Sequence, residues 1–85
     1  MTKILIVEDD PAISETVAYN LVSEGYQIQV ASDGLEGLEL AREMQPDLVI
    51  LDIMLPKMSG LDVCRMLKKE SDHNCLLYTS DAADE

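Results

Sequence analysis

Two short segments of this chain are entirely apolar, and each is followed at once by acidic residues. Residues 4–7 precede three acids at positions 8–10, and residues 48–51 precede Asp52. Apolar runs of this length are typical of strands that are buried on both faces of a parallel sheet. The pattern therefore predicts a parallel sheet in which two interior strands end in carboxylates.

The segments between and after these strands carry helix signals. An acidic N-cap residue followed by proline indicates the start of the first helix, and apolar side chains then recur every fourth residue until Gly25. The helical pattern of the second segment stops before Pro46. Three helices are predicted, and their start signals are Asp10-Pro11, Asp33-Gly34 and Ser59 with Asp62 in a capping-box pattern.

Residues 26–31 alternate between apolar and polar side chains, which predicts a less buried strand at the edge of the sheet. The chain then alternates strand and helix three times, so we expect an α/β fold with right-handed crossovers. Open parallel sheets bind their ligands at the carboxyl ends of the strands. Glu8, Asp9 and Asp52 are therefore expected to converge at one edge of the sheet.

Length, charge and cysteine content narrow the classes of function. The 85 residues suit one domain, and a formal charge of −11 disfavours direct nucleic-acid binding because phosphate backbones are also negative. No apolar run approaches the roughly 20 residues of a membrane span, so no membrane association and a cytoplasmic location are expected. Cys64 and Cys75 lack the pattern of a disulfide scaffold or a zinc site, and a structural role is expected for both.

Three neighbouring carboxylates repel one another unless a cation compensates their charge. The predicted cluster offers oxygen ligands and neither His nor Cys, a donor set that suits a hard ion, Mg²⁺ or Mn²⁺. Such an ion would also favour the approach of a phosphoryl group to an Asp carboxylate, which can act as a nucleophile and form an acyl phosphate. Asp52, alone at a strand end, is the candidate nucleophile.

Three segments, residues 4–10, 46–56 and 59–62, resemble in register the receiver domains of two-component response regulators. The resemblance covers residues 3 to about 73 and is closest to the class that carries a winged-helix output domain. It implies a flavodoxin-like, doubly wound parallel sheet with helices on both faces. The sheet is expected to be incomplete, with strand order 2-1-3 and, as an open possibility, a fourth strand.

The same resemblance implies roles for individual residues. Asp52 corresponds to the phosphoacceptor, which receives its phosphoryl group from the histidine of a sensor kinase. Asp9 resembles the direct ligand of Mg²⁺, together with Asp52. Glu8 resembles the acidic partner that reaches the ion through water, and Met54 would contribute its backbone carbonyl.

The C-terminal stretch departs from the family pattern and permits two interpretations. In one, residues 76–78 form the fourth strand and Thr79 supplies the switch hydroxyl of the family. In the other, which we favour, residues 1–74 are the N-terminal part of a receiver and residues 75–85 are a non-native tail, since that ending resembles translated sequencing-adapter read-through. The second interpretation leaves the third strand unpaired on one side, and we expect such a chain to be marginally stable.

The leading functional hypothesis is a phosphoacceptor module of a phosphorelay, with an output domain for transcription absent from this chain. Its own chemistry would be limited to self-phosphorylation and self-dephosphorylation, so we do not expect a classical enzyme. An alternative is a non-switching interaction module, because the lysine that follows strand five in the family has no counterpart here. An aspartate-nucleophile phosphatase is disfavoured, since Met54 occupies the position where such enzymes place their acid and base Asp.

Overall fold

The computed structural model describes residues 2–55, 58–71 and 74–78. Strands and helices alternate along these residues, as the periodicity predicts. The elements are β1 (Lys3–Val7), α1 (Pro11–Ser23), β2 (Gln27–Ala31), α2 (Gly34–Met44), β3 (Leu48–Asp52), α3 (Gly60–Ser71) and β4 (Cys75–Tyr78).

The strands form one parallel sheet with the order β2-β1-β3-β4. The predicted order 2-1-3, continued by a fourth strand, is therefore confirmed, and β2 lies at an edge as expected. The expectation that β3 is bare on one side is wrong, because β4 pairs along it from Val49↔Cys75 to Asp52↔Tyr78. A non-native origin of residues 75–85 stays a prediction, and residues 79–85 lie outside the described part of the chain.

Helices cover both faces of the sheet and bury two unequal apolar clusters. On one face, α2 and α3 pack over β1 and β3 around a core whose fully buried members include Leu5, Leu51 and Leu67. On the other face, α1 covers a smaller cluster built on Ile4 and Ile6. Burial on both faces explains why β1 and β3 are uninterrupted apolar runs.

The helices begin at the predicted capping residues. Asp10 accepts a hydrogen bond from the Ala12 amide at 3.0 Å, and Asp33 accepts one from the Glu36 amide at 2.9 Å. Ser59 Oγ accepts from the Leu61 amide at 3.1 Å. These bonds satisfy amides that have no partner inside the helix, so each helix start is fixed by a local interaction.

The second strand begins one residue later than the alternation predicts. Tyr26 donates its amide to the Leu21 carbonyl and so belongs to the turn that closes α1, where Gly25 has a positive φ of 98°. Pairing with β1 therefore starts at Gln27. Within the described ranges, the structure contains no helix with the length and apolar character needed to cross a bilayer.

Candidate functional site

Three carboxylates meet at the carboxyl edge of the sheet. Glu8 and Asp9 follow the last residue of β1, and Asp52 is the last residue of β3, its direct neighbour in the sheet. One oxygen from each of the three side chains lies within 4.8 Å of the others. The parallel register, which sets Val7 beside Leu51, is what brings residues from distant parts of the chain to one place.

The three carboxylates differ sharply in exposure. Asp52 and Glu8 are buried, with 0% and 2% of their surface accessible, whereas Asp9 is exposed. The cluster therefore has a buried floor and an open side. A ligand from solvent would meet Asp9 first and would find the other two carboxylates behind it.

Glu8 is held by bonds to both of its carboxylate oxygens. Its Oε2 accepts from the Asp10 amide at 3.0 Å, and its Oε1 accepts from the Tyr78 hydroxyl, which reaches it from β4. Burial is the main reason that the pKa of Glu8 is raised above its ordinary value, and the neighbouring Asp52 adds to the rise. The bonds from Tyr78 and Asp10 act in the opposite direction because they stabilise the charged carboxylate.

Tyr78 shares this environment. Burial is the largest cause of the raised pKa of its hydroxyl, followed by the hydrogen bond to Glu8 and the negative charges of the cluster. The hydroxyl therefore stays protonated and remains a donor. Nothing in the sequence around Tyr78 indicates its bond to Glu8, because an isolated tyrosine gives no sign of a partner seventy residues away.

Asp52 is oriented by its local backbone. Its Oδ1 accepts from the Met54 amide at 3.0 Å, so the bend after β3 turns back onto the carboxylate. The first residue of α3 closes against the same bend, where Gly60 donates its amide to the Ile53 carbonyl at 3.1 Å. A side-chain carbon at position 60 would overlap the carbonyl oxygen of Asp52, so this close approach requires glycine.

The structure describes the remaining predicted residues to different extents. Met54 lies beside the cluster, and the contact seen there is made by its amide; the role of its carbonyl as a metal ligand stays a prediction. Thr79, the predicted switch hydroxyl, lies outside the described residues. The individual roles of Glu8, Asp9 and Asp52 also remain predictions, although the structure brings their side chains together.

The cluster suits a small, hard divalent cation. Among the described residues it offers three carboxylates and no nitrogen or sulfur ligand, which is the donor set that Mg²⁺ and Mn²⁺ prefer. Repulsion from Asp52, which adds to the effect of burial on the pKa of Glu8, is of the kind that a bound cation relieves. The exposed position of Asp9 provides an entry from solvent.

A parallel α/β sheet with adjoining carboxylates at the ends of its two central strands fits the class of receiver signalling domains. The model of the response regulator receiver domain matches residues 4–85, and the chain belongs to that family. The resemblance noted in the sequence and the flavodoxin-like fold are thus both confirmed.

A curated relative is the DNA-binding dual master transcriptional regulator RpaA of Synechocystis sp., which is 51% identical over 70 residues. The match covers 82% of this chain and 29% of that regulator. The chain therefore spans less than a third of the length of this relative, and the matched part includes its receiver region.

Two solved structures relate the fold to partners of similar proteins. One is the response regulator TrrA of Thermotoga maritima in complex with Mg²⁺ and BeF, with 40% identity, a TM-score of 0.90, and coverage of 96% of this chain and 72% of that one. The other is the complex of the histidine kinase ThkA with the response regulator TrrA. That match has 38% identity and a TM-score of 0.88, and it covers 100% of this chain and 76% of the matched one.

Proposed function

We propose that this chain is the phosphoacceptor module of a cytoplasmic two-component phosphorelay and that Asp52 receives the phosphoryl group. The observation that carries the proposal is the cluster of three carboxylates, with oxygens within 4.8 Å of one another and with Asp52 at its buried floor. Membership of the receiver family supports the assignment. Among the three acids, Asp52 is the one that is itself the last residue of a central strand, and the Met54 amide orients its carboxylate.

In the proposed reaction, a carboxylate oxygen of Asp52 forms a bond to phosphorus. The bond between phosphorus and the histidine nitrogen of the donor breaks, and its electron pair stays on that nitrogen. The product is an acyl phosphate, and later attack by water returns the carboxylate and releases inorganic phosphate. The Met54 amide holds Oδ1 throughout, which limits rotation of the side chain before attack.

Asp9 and Asp52 would hold Mg²⁺, with Glu8 contributing through water and Met54 through its carbonyl. The ion would supply positive charge opposite the carboxylates and the incoming phosphoryl group. The chain itself supplies the buried position of Asp52 and the fixed position of Glu8. Two hydrogen bonds hold Glu8 in place at the edge of the cluster.

The proposed phosphoryl donor is a sensor histidine kinase, and the proposed target of the signal is a transcriptional output domain outside this chain. The complex of ThkA with TrrA supports the first part, because TrrA shares the receiver fold at 38% identity. RpaA, whose name describes a DNA-binding regulator, supports the second. This chain alone, with a charge of −11, is not proposed to contact DNA.

The direct test is incubation of the full chain with Mg²⁺ and acetyl phosphate, followed by intact-mass measurement. We expect one added phosphoryl group on the wild type and none on Asp52→Asn. Asp62→Asn is a matched control, because Asp62 is an exposed acid on α3 that pairs with Arg65 and not with the cluster.

Two results would contradict the proposal. The first is an adduct of equal yield on Asp52→Asn, which would place the modification elsewhere. The second is release of many equivalents of phosphate from a phosphate monoester, which would indicate a phosphatase.

Omission of Mg²⁺ should reduce the adduct to the level of the Asp52→Asn variant, since the clustered carboxylates then repel the donor.

A further inference from the structure

Two thiols that the proposed function does not use meet where α3 packs on β4. Cys64 lies on α3 and is buried, while Cys75 is the first residue of β4 and is partly buried. Both belong to the apolar core between the sheet and the helices α2 and α3. Helix α3 contacts β4 directly, and Cys64 is among the groups that act on the Cys75 thiol, so the two side chains face each other within that core.

We propose that Cys64 and Cys75 form an oxidisable pair that a small-molecule disulfide converts into an intrachain disulfide. The bond would tie β4 to α3. Pairing of Cys75 with Val49 fixes one thiol over the sheet, and burial of Cys64 on α3 fixes the other. A disulfide bond of about 2.05 Å requires the two sulfurs to approach each other and the Cβ–S–S–Cβ torsion to lie near about 90°.

The exchange is balanced in atoms and electrons. Cys75 is the more accessible thiol, so its thiolate attacks the oxidant first, forms a mixed disulfide and releases one small thiol. Cys64 then displaces the second small thiol. The protein gives up two protons and two electrons, and the oxidant takes them up as it becomes two thiols.

The surroundings of Cys75 make this exchange slow. Burial and the adjacent Cys64 raise the pKa of Cys75 to about 12, while Lys68 acts in the opposite direction. Little thiolate is therefore present at neutral pH. The equilibrium between dithiol and disulfide, which depends on how closely the fold holds the sulfurs, is the informative quantity.

The bond would act on the least supported strand of the sheet. Strand β4 has four residues and pairs with the rest of the described sheet through β3 alone. It also carries Tyr78, whose hydroxyl holds Glu8. A link from Cys75 to α3 would therefore restrain the strand that reaches the acidic cluster.

The test equilibrates the full chain with mixtures of oxidised and reduced glutathione, once in native buffer and once in concentrated urea. Acid quenching, thiol alkylation and intact mass then give the fraction of disulfide. We expect the equilibrium constant for the intrachain disulfide to be at least tenfold larger in native buffer, which corresponds to about 1.4 kcal/mol. Cys64→Ser and Cys75→Ser should each stop at the mixed disulfide.

Equal constants in native buffer and in urea would overturn the proposal, since the fold would then contribute nothing to the pairing. Predominant covalent dimers in native buffer would do the same. Hydrogen exchange provides a second measurement: in the oxidised chain, the amides of Leu76 and Tyr78, which face β3 in this register, should exchange at least tenfold more slowly than in the reduced chain. Unchanged exchange would contradict the restraint of β4, and neither measurement depends on phosphorylation.

Discussion

Replacing Gly60 with alanine is expected to separate α3 from the end of β3. The added carbon would overlap the carbonyl oxygen of Asp52 and would lie 2.9 Å from its carbonyl carbon and 3.1 Å from Ile53 Cα. All of these are backbone atoms, so relief requires movement of the helix or of the strand end. Overpacking of this kind costs about 1–3 kcal/mol, and we expect the upper half of that range because no flexible side chain can yield.

Gly34→Ala is a closely matched control. Gly34 is the first residue of α2, as Gly60 is of α3, so the change in helix propensity is the same. The added carbon at position 34 would lie 2.9 Å from Val63 Cγ2 and 3.2 Å from Met58 Cβ, which belong to side chains. The nearest of these atoms, Val63 Cγ2, can shift with its side chain, whereas every atom that opposes position 60 is backbone, so Gly34→Ala should cost at least about 1 kcal/mol less than Gly60→Ala.

Urea denaturation followed by circular dichroism measures both variants. A loss of about 2–3 kcal/mol in a domain of this size lowers Tm by on the order of 10–20 °C. Because the displaced backbone is that of Asp52, the yield of the acetyl phosphate adduct per folded molecule should also fall for Gly60→Ala and not for Gly34→Ala. A Gly60→Ala variant as stable as wild type, or more stable than Gly34→Ala, would refute the reasoning.

Three further results are expected. Tyr78→Phe leaves Glu8 without one of its donors and should cost about 1–3 kcal/mol in urea denaturation, whereas the exposed Tyr26→Phe should stay within about 0.5 kcal/mol of wild type. The fold raises the pKa of Glu8 above its ordinary value of 4.5, so the stability that its neutral form contributes is complete below that pH and is lost as pH rises. Glu8→Gln should therefore gain stability relative to wild type between about pH 4 and pH 7. An equal pH dependence of the two proteins would contradict this. Mg²⁺ at 100 times its Kd should stabilise the wild type by about 2.7 kcal/mol, and the rise in Tm should be smaller for Asp9→Asn and unchanged for Asp62→Asn.

The local sequence determined most of the secondary structure of this protein and the membership of its acidic cluster. The apolar runs at 4–7 and 48–51 predicted strands buried on both faces, because four apolar residues bounded by polar ones have the length and character of such strands, and both runs form them. Side chains such as Asp10 and Asp33 fixed the helix starts through contacts within four residues. Since parallel strands end at a common edge, the acids that follow these runs could be expected to meet.

Only the tertiary structure decided how distant segments complete that site. Four apolar residues near the end of the chain contain no signal that specifies a pairing partner. The tail interpretation rests on a different observation, the resemblance of that ending to translated adapter read-through. Packing against β3 placed Tyr78 on Glu8 and Cys75 beside Cys64, and it left a close approach at Gly60 that excludes a side chain. Contacts between residues far apart in the chain depend on the relative positions of whole elements, and those positions are set by burial of the shared core, which no local pattern encodes.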